Sequence, residues 1–193
     1  MEDGQASIRY GTPEGRWVIV AAVLGSGVVF LDGTVVNVAL PAISRDLGAS
    51  VQGLQWILDA YLVTLSSLLL LGGSAGDRWG RRRVFVSGLA GFTGASVLCG
   101  LAPGVGFLIA ARALQGVAGA LLVPASLSII SAGFDPADRG RAIGAWSGLA
   151  AVAGAAGPLL GGWLIDAANW RFIFLLNVPV AATAAWMAHA HVP

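Results

Sequence analysis

Long apolar runs, separated by short segments that hold most of the charges, constrain this chain more than any other feature. Only 11% of its 193 residues are charged, whereas soluble domains usually contain about 25%. The apolar runs have the length, about 20 residues, that crosses a bilayer as a helix. Because a backbone in lipid must satisfy its own hydrogen bonds, such runs predict helices. We therefore expect an all-α membrane protein.

Six runs of this kind predict a single six-transmembrane-helix bundle embedded in the lipid bilayer. Their approximate bounds are 17–40, 55–75, 84–102, 106–131, 142–165 and 171–190. The bundle then occupies 17–190, with a tail at 1–16 and a short end at 191–193. We expect Pro41, Pro103 and the Asp135-Pro136 pair to mark the connections between spans.

The arginines predict the orientation of the bundle. Eight of them lie on the side that holds the N-terminus, 76–83 and 133–141, and two lie on the other side. Short loops rich in Arg and Lys remain in the cytoplasm. Both termini are therefore expected to be cytoplasmic, in a multi-pass protein of the plasma or bacterial inner membrane.

The composition disfavours several other classes of function. The chain has no Lys, which excludes the phosphate-binding loop that ends in Lys-Ser/Thr, and its single Cys cannot form an internal disulfide. A net charge of +1 argues against a nucleic-acid partner. Residues 72–76 fit the Gly-x-Ser-x-Gly pattern of hydrolases, but an apolar helix without a nearby His does not provide that site. We expect no enzymatic activity and no metal site.

Three charged residues lie within the predicted spans: Asp32, Asp59 and Arg112. A charge at the centre of a membrane helix costs about 2.5–3.5 kcal/mol, so such residues usually serve function. Helix geometry places all three at a similar depth, near the outer side. An Asp beside an Arg in a polar cavity can bind and release a proton. The alternative, strongest for the shallow Asp59, is that the side chain extends to the membrane interface.

Five segments in a fixed order carry a resemblance to a known family. The first is 31–41 (LDGTVVNVALP) and the third is 112–119 (RALQGVAG). The second, at 73–83, contains Gly73, Asp77, Arg78, Gly80, Arg81, Arg82 and Arg83. The fourth contains Gly154, Gly157, Pro158, Gly161 and Gly162. With 170–179 (WRFIFLLNVP), they resemble the N-terminal half of a major facilitator superfamily transporter, in the fourteen-helix drug/proton antiporter branch.

This resemblance implies two inverted three-helix repeats and proton-coupled efflux of lipophilic or cationic drugs, driven by the proton gradient without a cofactor. It implies a proton-coupling and substrate cavity lined by Asp32, Arg112, Asp59, Asn37 and Gln115. The 73–83 segment would act as a latch between transporter halves. Independently of the resemblance, a carboxylate gains nothing at the negative C-terminal end of a helix. We therefore expect Asp77 to pair with Arg81 or with the N-terminus of a neighbouring helix, in a network that Asp138 can join. The 154–162 segment would form a tight seam against the second half.

Two other interpretations remain open at this level. The chain can be half of a proton-coupled importer of sugars or metabolites, although the Gly-Pro-x-x-Gly-Gly segment favours an exporter. It can also be a fragment that does not transport, because such transporters place the substrate between two halves. The expected partners are a small-molecule substrate and a C-terminal half of six or eight helices, or a second copy of the chain.

Overall fold

The computed structural model describes residues 8–191 as a bundle of helices. The helices are α1 (Pro13–Leu47), α2 (Val51–Trp79), α3 (Arg81–Gly100), α4 (Val105–Gly133), α5 (Arg139–Ala167), α6 (Arg171–Leu175) and α7 (Asn177–His191). Since α6 and α7 together form one span, the described residues contain six helical spans long and apolar enough to cross a membrane. The fold class expected from the sequence is confirmed. Residues 1–7 and 192–193 of the expected tails lie outside the described part.

The first helix is longer than predicted at both ends. It begins at Pro13, where the Thr12 hydroxyl accepts a hydrogen bond from the Gly15 amide at 3.1 Å. The prediction that Pro41 ends the helix is wrong. An interior proline removes one amide donor and bends a helix without always ending it. The helix ends instead where Gly48 adopts a left-handed conformation (φ 63°).

The sixth span is interrupted at Leu176, between α6 and α7. Pro179 has no amide hydrogen to donate to the Leu175 carbonyl, so a regular helix cannot continue through this point. The interruption has a consequence for the interior, because Asn177 is the first residue of α7 and is fully buried.

The helix pairing shows the expected pair of inverted repeats. The most extensive contacts join α2 to α4 and α1 to α5, followed by those of α3 with α4 and of α1 with α7. If each of the first three spans is exchanged with the corresponding one of the last three, the α2–α4 contact becomes α1–α5 and the α3–α4 contact becomes α1–α7. The second helices of the two repeats, α2 and α5, are the least buried spans.

Both ends of the bundle are fastened by polar contacts. At the terminal face, which holds the first and last described residues, Ile8 pairs with the backbone of 133–135, and the Tyr10 amide donates to Asp138 at 2.9 Å. At the opposite face, Asp46 of α1 accepts hydrogen bonds from the Trp170 indole at 2.9 Å and from Arg171 at 2.5 Å. These contacts hold the helix ends together around the interior.

Candidate functional site

A buried polar cluster lies in the interior of the bundle, between α1, α3, α4 and α7. Its members are Asp32, Ser96, Arg112, Gln115 and Asn177. Asp32 is 0% exposed and Arg112 is 1% exposed. Because charges are expensive inside a membrane protein, each member is expected to have a partner within the cluster.

Asp32 accepts hydrogen bonds from three side chains. Its Oδ2 forms an ion pair with the Nη1 of Arg112. Its Oδ1 accepts from the Gln115 amide at 2.9 Å and from the Asn177 amide at 2.8 Å. The donors come from α4 and α7, so the carboxylate joins α1 to both helices.

Arg112 is held by further contacts that do not involve the carboxylate. Its Nε donates to the Ile57 carbonyl at 3.1 Å, and its Nη1 donates to Gln115 at 2.8 Å. The guanidinium lies over the Tyr61 ring, 4.1 Å from the centroid. The Tyr61 hydroxyl donates to the Val29 carbonyl at 2.8 Å, which fixes the ring. The cation is therefore well stabilised on the side facing α2.

Two members of the cluster, Ser96 and Asn177, were not identified as site residues from the sequence. Ser96 accepts from Gln115 at 2.9 Å and from Asn177 at 3.3 Å. The Asn177 Oδ1 is the only buried side-chain N or O atom in the described residues without a hydrogen-bond partner. The available signal was a polar residue within an apolar span; Asn177 was noticed only as part of the 170–179 segment.

Two of the predicted cavity residues, Asp59 and Asn37, lie outside the buried cluster. Asp59 is half-buried and joins neither the cluster nor any other ion pair among residues 8–191. It lies two residues, and thus about 200°, around α2 from Ile57, whose carbonyl faces Arg112. Asn37 is exposed and donates to the Gly33 carbonyl of its own helix at 3.0 Å.

The other three predicted residues lie together in the interior. Asp32, Arg112 and Gln115 come together as expected, but they lie inside the six-helix bundle rather than on an open cavity wall. All three are buried in the chain considered alone, before any second half covers its surface. In this conformation, a compound on that surface does not touch them.

The 154–162 segment packs against α1 through its glycines. Pro158 cannot donate to the Gly154 carbonyl four residues earlier. That carbonyl instead accepts a hydrogen bond from the Thr34 hydroxyl at 2.8 Å. A Cβ on Gly157 would overlap Thr34, and one on Gly161 would lie 2.7 Å from Val35, whereas one on Gly162 would meet nothing within 4 Å.

The 73–83 segment forms the turn between α2 and α3 at the terminal face. Gly80 makes the turn with φ 93°, and a Cβ on Gly73 would make an ordinary contact, 3.8 Å from Pro124. Asp77 lies 4.0 Å from Arg81, as predicted. Arg82 donates to the carbonyl of His189 at 2.9 Å.

The prediction that Asp138 joins the Asp77 network is wrong. Asp138 accepts from the Tyr10 amide and lies 3.8 Å from Arg141. It therefore stabilises the start of α5 and the N-terminal segment at a different part of the terminal face.

Comparison with known proteins agrees with this architecture. A family model described as Major Facilitator Superfamily matches residues 22–192. The chain is 44% identical over 170 residues to a probable actinorhodin transporter of Streptomyces coelicolor, covering 86% of this chain and 29% of that protein. It is 45% identical over 173 residues to the puromycin resistance protein pur8 of Streptomyces alboniger, covering 89% of this chain and 34% of that protein.

The fold is also similar to that of a bacterial homolog of the human lysosomal transporter Spinster, in an inward-facing and unoccupied conformation. The TM-score is 0.75 at 23% identity, with 95% of this chain and 44% of that chain covered. The chain thus spans about a third of the length of the two Streptomyces relatives.

Proposed function

Since the chain belongs to the Major Facilitator Superfamily, we propose that it is the N-terminal half of a proton-coupled exporter of lipophilic or cationic compounds, including antibiotics. The Streptomyces relatives support the choice of substrate class, because their names describe antibiotic transport and resistance. The two-half organisation of such transporters places the substrate between this bundle and a second one. The energy source in this proposal is the proton gradient, with no cofactor.

One observation carries the proposal: a single carboxylate, Asp32, is buried beside Arg112 and joins three helices. A proton taken from water onto Oδ1 would convert the carboxylate to a carboxylic acid. The charge attraction to Arg112 would then be lost, and the hydrogen bonds from Gln115 and Asn177 to the anion would weaken. Proton binding in the interior would thereby change how α1 packs against α4 and α7.

The position of the cluster determines how proton and substrate would be coupled. Arg112 would remain held by the Ile57 carbonyl and the Tyr61 ring when Asp32 is neutral. The change would therefore fall on α1, which also packs against α5 and its 154–162 segment. In this mechanism, protonation of Asp32 displaces α1, and α1 in turn displaces α5 at the substrate surface. The compound does not contact Asp32.

The proposal also includes the orientation of the bundle. The terminal face holds Arg9, Arg16 and the arginines of 78–83, 139 and 141, which supports placing it in the cytoplasm. The second half, or a second copy of the chain, would contact one face of each of α2 and α5, the two least buried spans.

The test is an efflux assay in a bacterium that lacks its own drug exporters. The chain is expressed alone and together with the unmatched remainder of the Streptomyces alboniger relative, and puromycin efflux is followed with and without a proton gradient. We expect gradient-dependent efflux only with the second half present. Asp32→Asn should abolish it, whereas Asp166→Asn, which removes an exposed carboxylate of α5, should not.

Immunoblots of the membrane fraction show whether each variant is inserted in equal amount. Gradient-dependent accumulation of the compound would instead identify an importer. Full coupling in the Asp32→Asn variant would refute the role of this carboxylate.

A further inference from the structure

A groove with basic and apolar ends runs along the outside of the bundle between α2, α3 and α4. Two adjoining cavities of about 490 and 430 Å³ form it and share the lining residues Ala75, Arg78, Trp79 and Leu121. We call it the α2–α4 groove. It starts at the terminal face and continues along the apolar outer surface of α2 and α4.

The basic end of the α2–α4 groove holds two guanidinium groups, those of Arg78 and Arg83. Both are exposed, and neither forms an ion pair with another described residue. Their neighbours differ, because Arg81 pairs with Asp77 and Arg82 binds His189. No acidic residue lines either cavity.

Two helix ends meet at this end of the groove. Helix α3 begins at Arg81, and no side chain caps its free amides. The partial positive charge of this N-terminus is opposed by the partial negative charge at the C-terminus of α2, so the two arginines supply the attraction for an anion. Trp79 lies beside it, 63% exposed, in the position typical of an aromatic residue at the membrane interface.

The remainder of the groove is apolar and follows the helices toward the middle of the membrane. It is lined by Leu68 and Leu71 of α2 and by Val117 and Leu121 of α4. From Arg78 to Leu68, α2 rises by about 15 Å. That distance is half of a hydrocarbon core about 30 Å thick, so the groove has the depth of one leaflet.

We propose that the α2–α4 groove binds one anionic phospholipid, with its phosphate between Arg78 and Arg83 and an acyl chain along the α2 and α4 side chains. Basic pockets between membrane helices bind the head groups of anionic lipids on the cytoplasmic side. Two unpaired cations provide the charge complementarity, and the apolar tract distinguishes a lipid from a soluble phosphate. The proposal requires insertion in a membrane and does not depend on transport.

The test is native mass spectrometry of the purified 193-residue chain in micelles, titrated with phosphatidylglycerol or phosphatidylcholine. We expect one phosphatidylglycerol to be retained in preference to phosphatidylcholine. At about 1 kcal/mol for each arginine near an anionic surface, the Arg78→Gln/Arg83→Gln variant should bind it about thirtyfold more weakly. The Arg16→Gln/Arg139→Gln variant removes the same charge from exposed positions outside the groove and should bind normally.

A second pair of variants tests the acyl-chain tract. Val117→Trp should fill the groove and reduce retention, whereas Leu114→Trp, one turn earlier on α4 and outside the lining, should not. Circular dichroism confirms that each variant keeps its helices. Equal retention by wild type and the Arg78/Arg83 variant would overturn the proposal. Efficient competition by soluble glycerol phosphate, with no effect of Val117→Trp, would overturn it in favour of a small-anion site.

Discussion

The two members of the buried ion pair are predicted to contribute unequally to stability. Arg112→Leu removes the cation and leaves the Asp32 carboxylate with only the amide groups of Gln115 and Asn177. Leaving one member of a buried ion pair uncompensated costs about 3–5 kcal/mol. We therefore expect this variant to lose about that much free energy of unfolding.

Asp32→Asn should cost less, because Arg112 keeps its other partners. The guanidinium still donates to the Ile57 carbonyl and to Gln115, and it still lies over the Tyr61 ring. The loss is one charge-assisted hydrogen bond, about 1.5–3 kcal/mol. The double variant should be more stable than Arg112→Leu alone, since no isolated charge then remains in the interior.

The assay is reversible unfolding in mixed micelles at neutral pH, followed by circular dichroism, with the four proteins of the double-mutant cycle compared. The expected order of stability is wild type, Asp32→Asn, the double variant and then Arg112→Leu. If Asp32→Asn further destabilises the Arg112→Leu protein, the carboxylate is not the source of the cost and the reasoning fails.

The α1–α5 interface gives two further predictions. Thr34→Val should lower the free energy of unfolding in micelles by about 1–3 kcal/mol, because it leaves the buried Gly154 carbonyl without a donor. The loss should be smaller in a Pro158→Ala background, where the helix regains its own amide donor. An equal loss in both backgrounds would contradict this reasoning. Gly157→Ala should lower the free energy of unfolding by about 1–3 kcal/mol and reduce the thermal midpoint, because the added methyl group overpacks against Thr34. Gly162→Ala, with open space around it, should leave the thermal midpoint unchanged. Equal shifts for the two variants would show that the overlap with Thr34 is not the cause.

Hydropathy alone was sufficient to predict the number of spans, because lipid leaves the backbone few alternatives. The ends of the helices were less predictable, since they depend on local capping. Gly48 ends α1 seven residues beyond Pro41, where a left-handed residue becomes available. The break at Leu176 follows from Pro179, but its effect is to place Asn177 in the interior.

The ion pair was predictable because two charges of opposite sign at similar depth in a membrane attract each other. The rest of the cluster was not, because its members are neutral. Ser96 and Asn177 lie on different spans, and their meeting depends on how α3 and α7 turn about their axes. Asp59 was expected to join the cluster from its depth, but depth alone does not indicate which side of α2 its carboxylate faces.

The two main interfaces between the repeats contain the same contact, a hydrogen bond from a threonine hydroxyl to a backbone carbonyl of the facing helix. They differ in whether that carbonyl also has a donor in its own helix. On α1–α5 the Thr34 hydroxyl donates to Gly154, and on α2–α4 the Thr64 hydroxyl donates to Ala113 at 3.0 Å. Three residues after each acceptor stands a glycine, Gly157 or Gly116, where a Cβ would overlap the threonine.

The difference lies four residues after each acceptor. The Ala113 carbonyl faces the amide of Val117 in its own helix, so Thr64 adds a second donor. The Gly154 carbonyl faces Pro158, which has no amide hydrogen, and Thr34 replaces the missing donor. Helix α5 therefore depends on α1 for its own hydrogen bonding at this point, and α4 does not depend on α2. A displacement of α1, such as neutralisation of Asp32 would cause in the proposed mechanism, acts directly on the helix that carries the 154–162 segment.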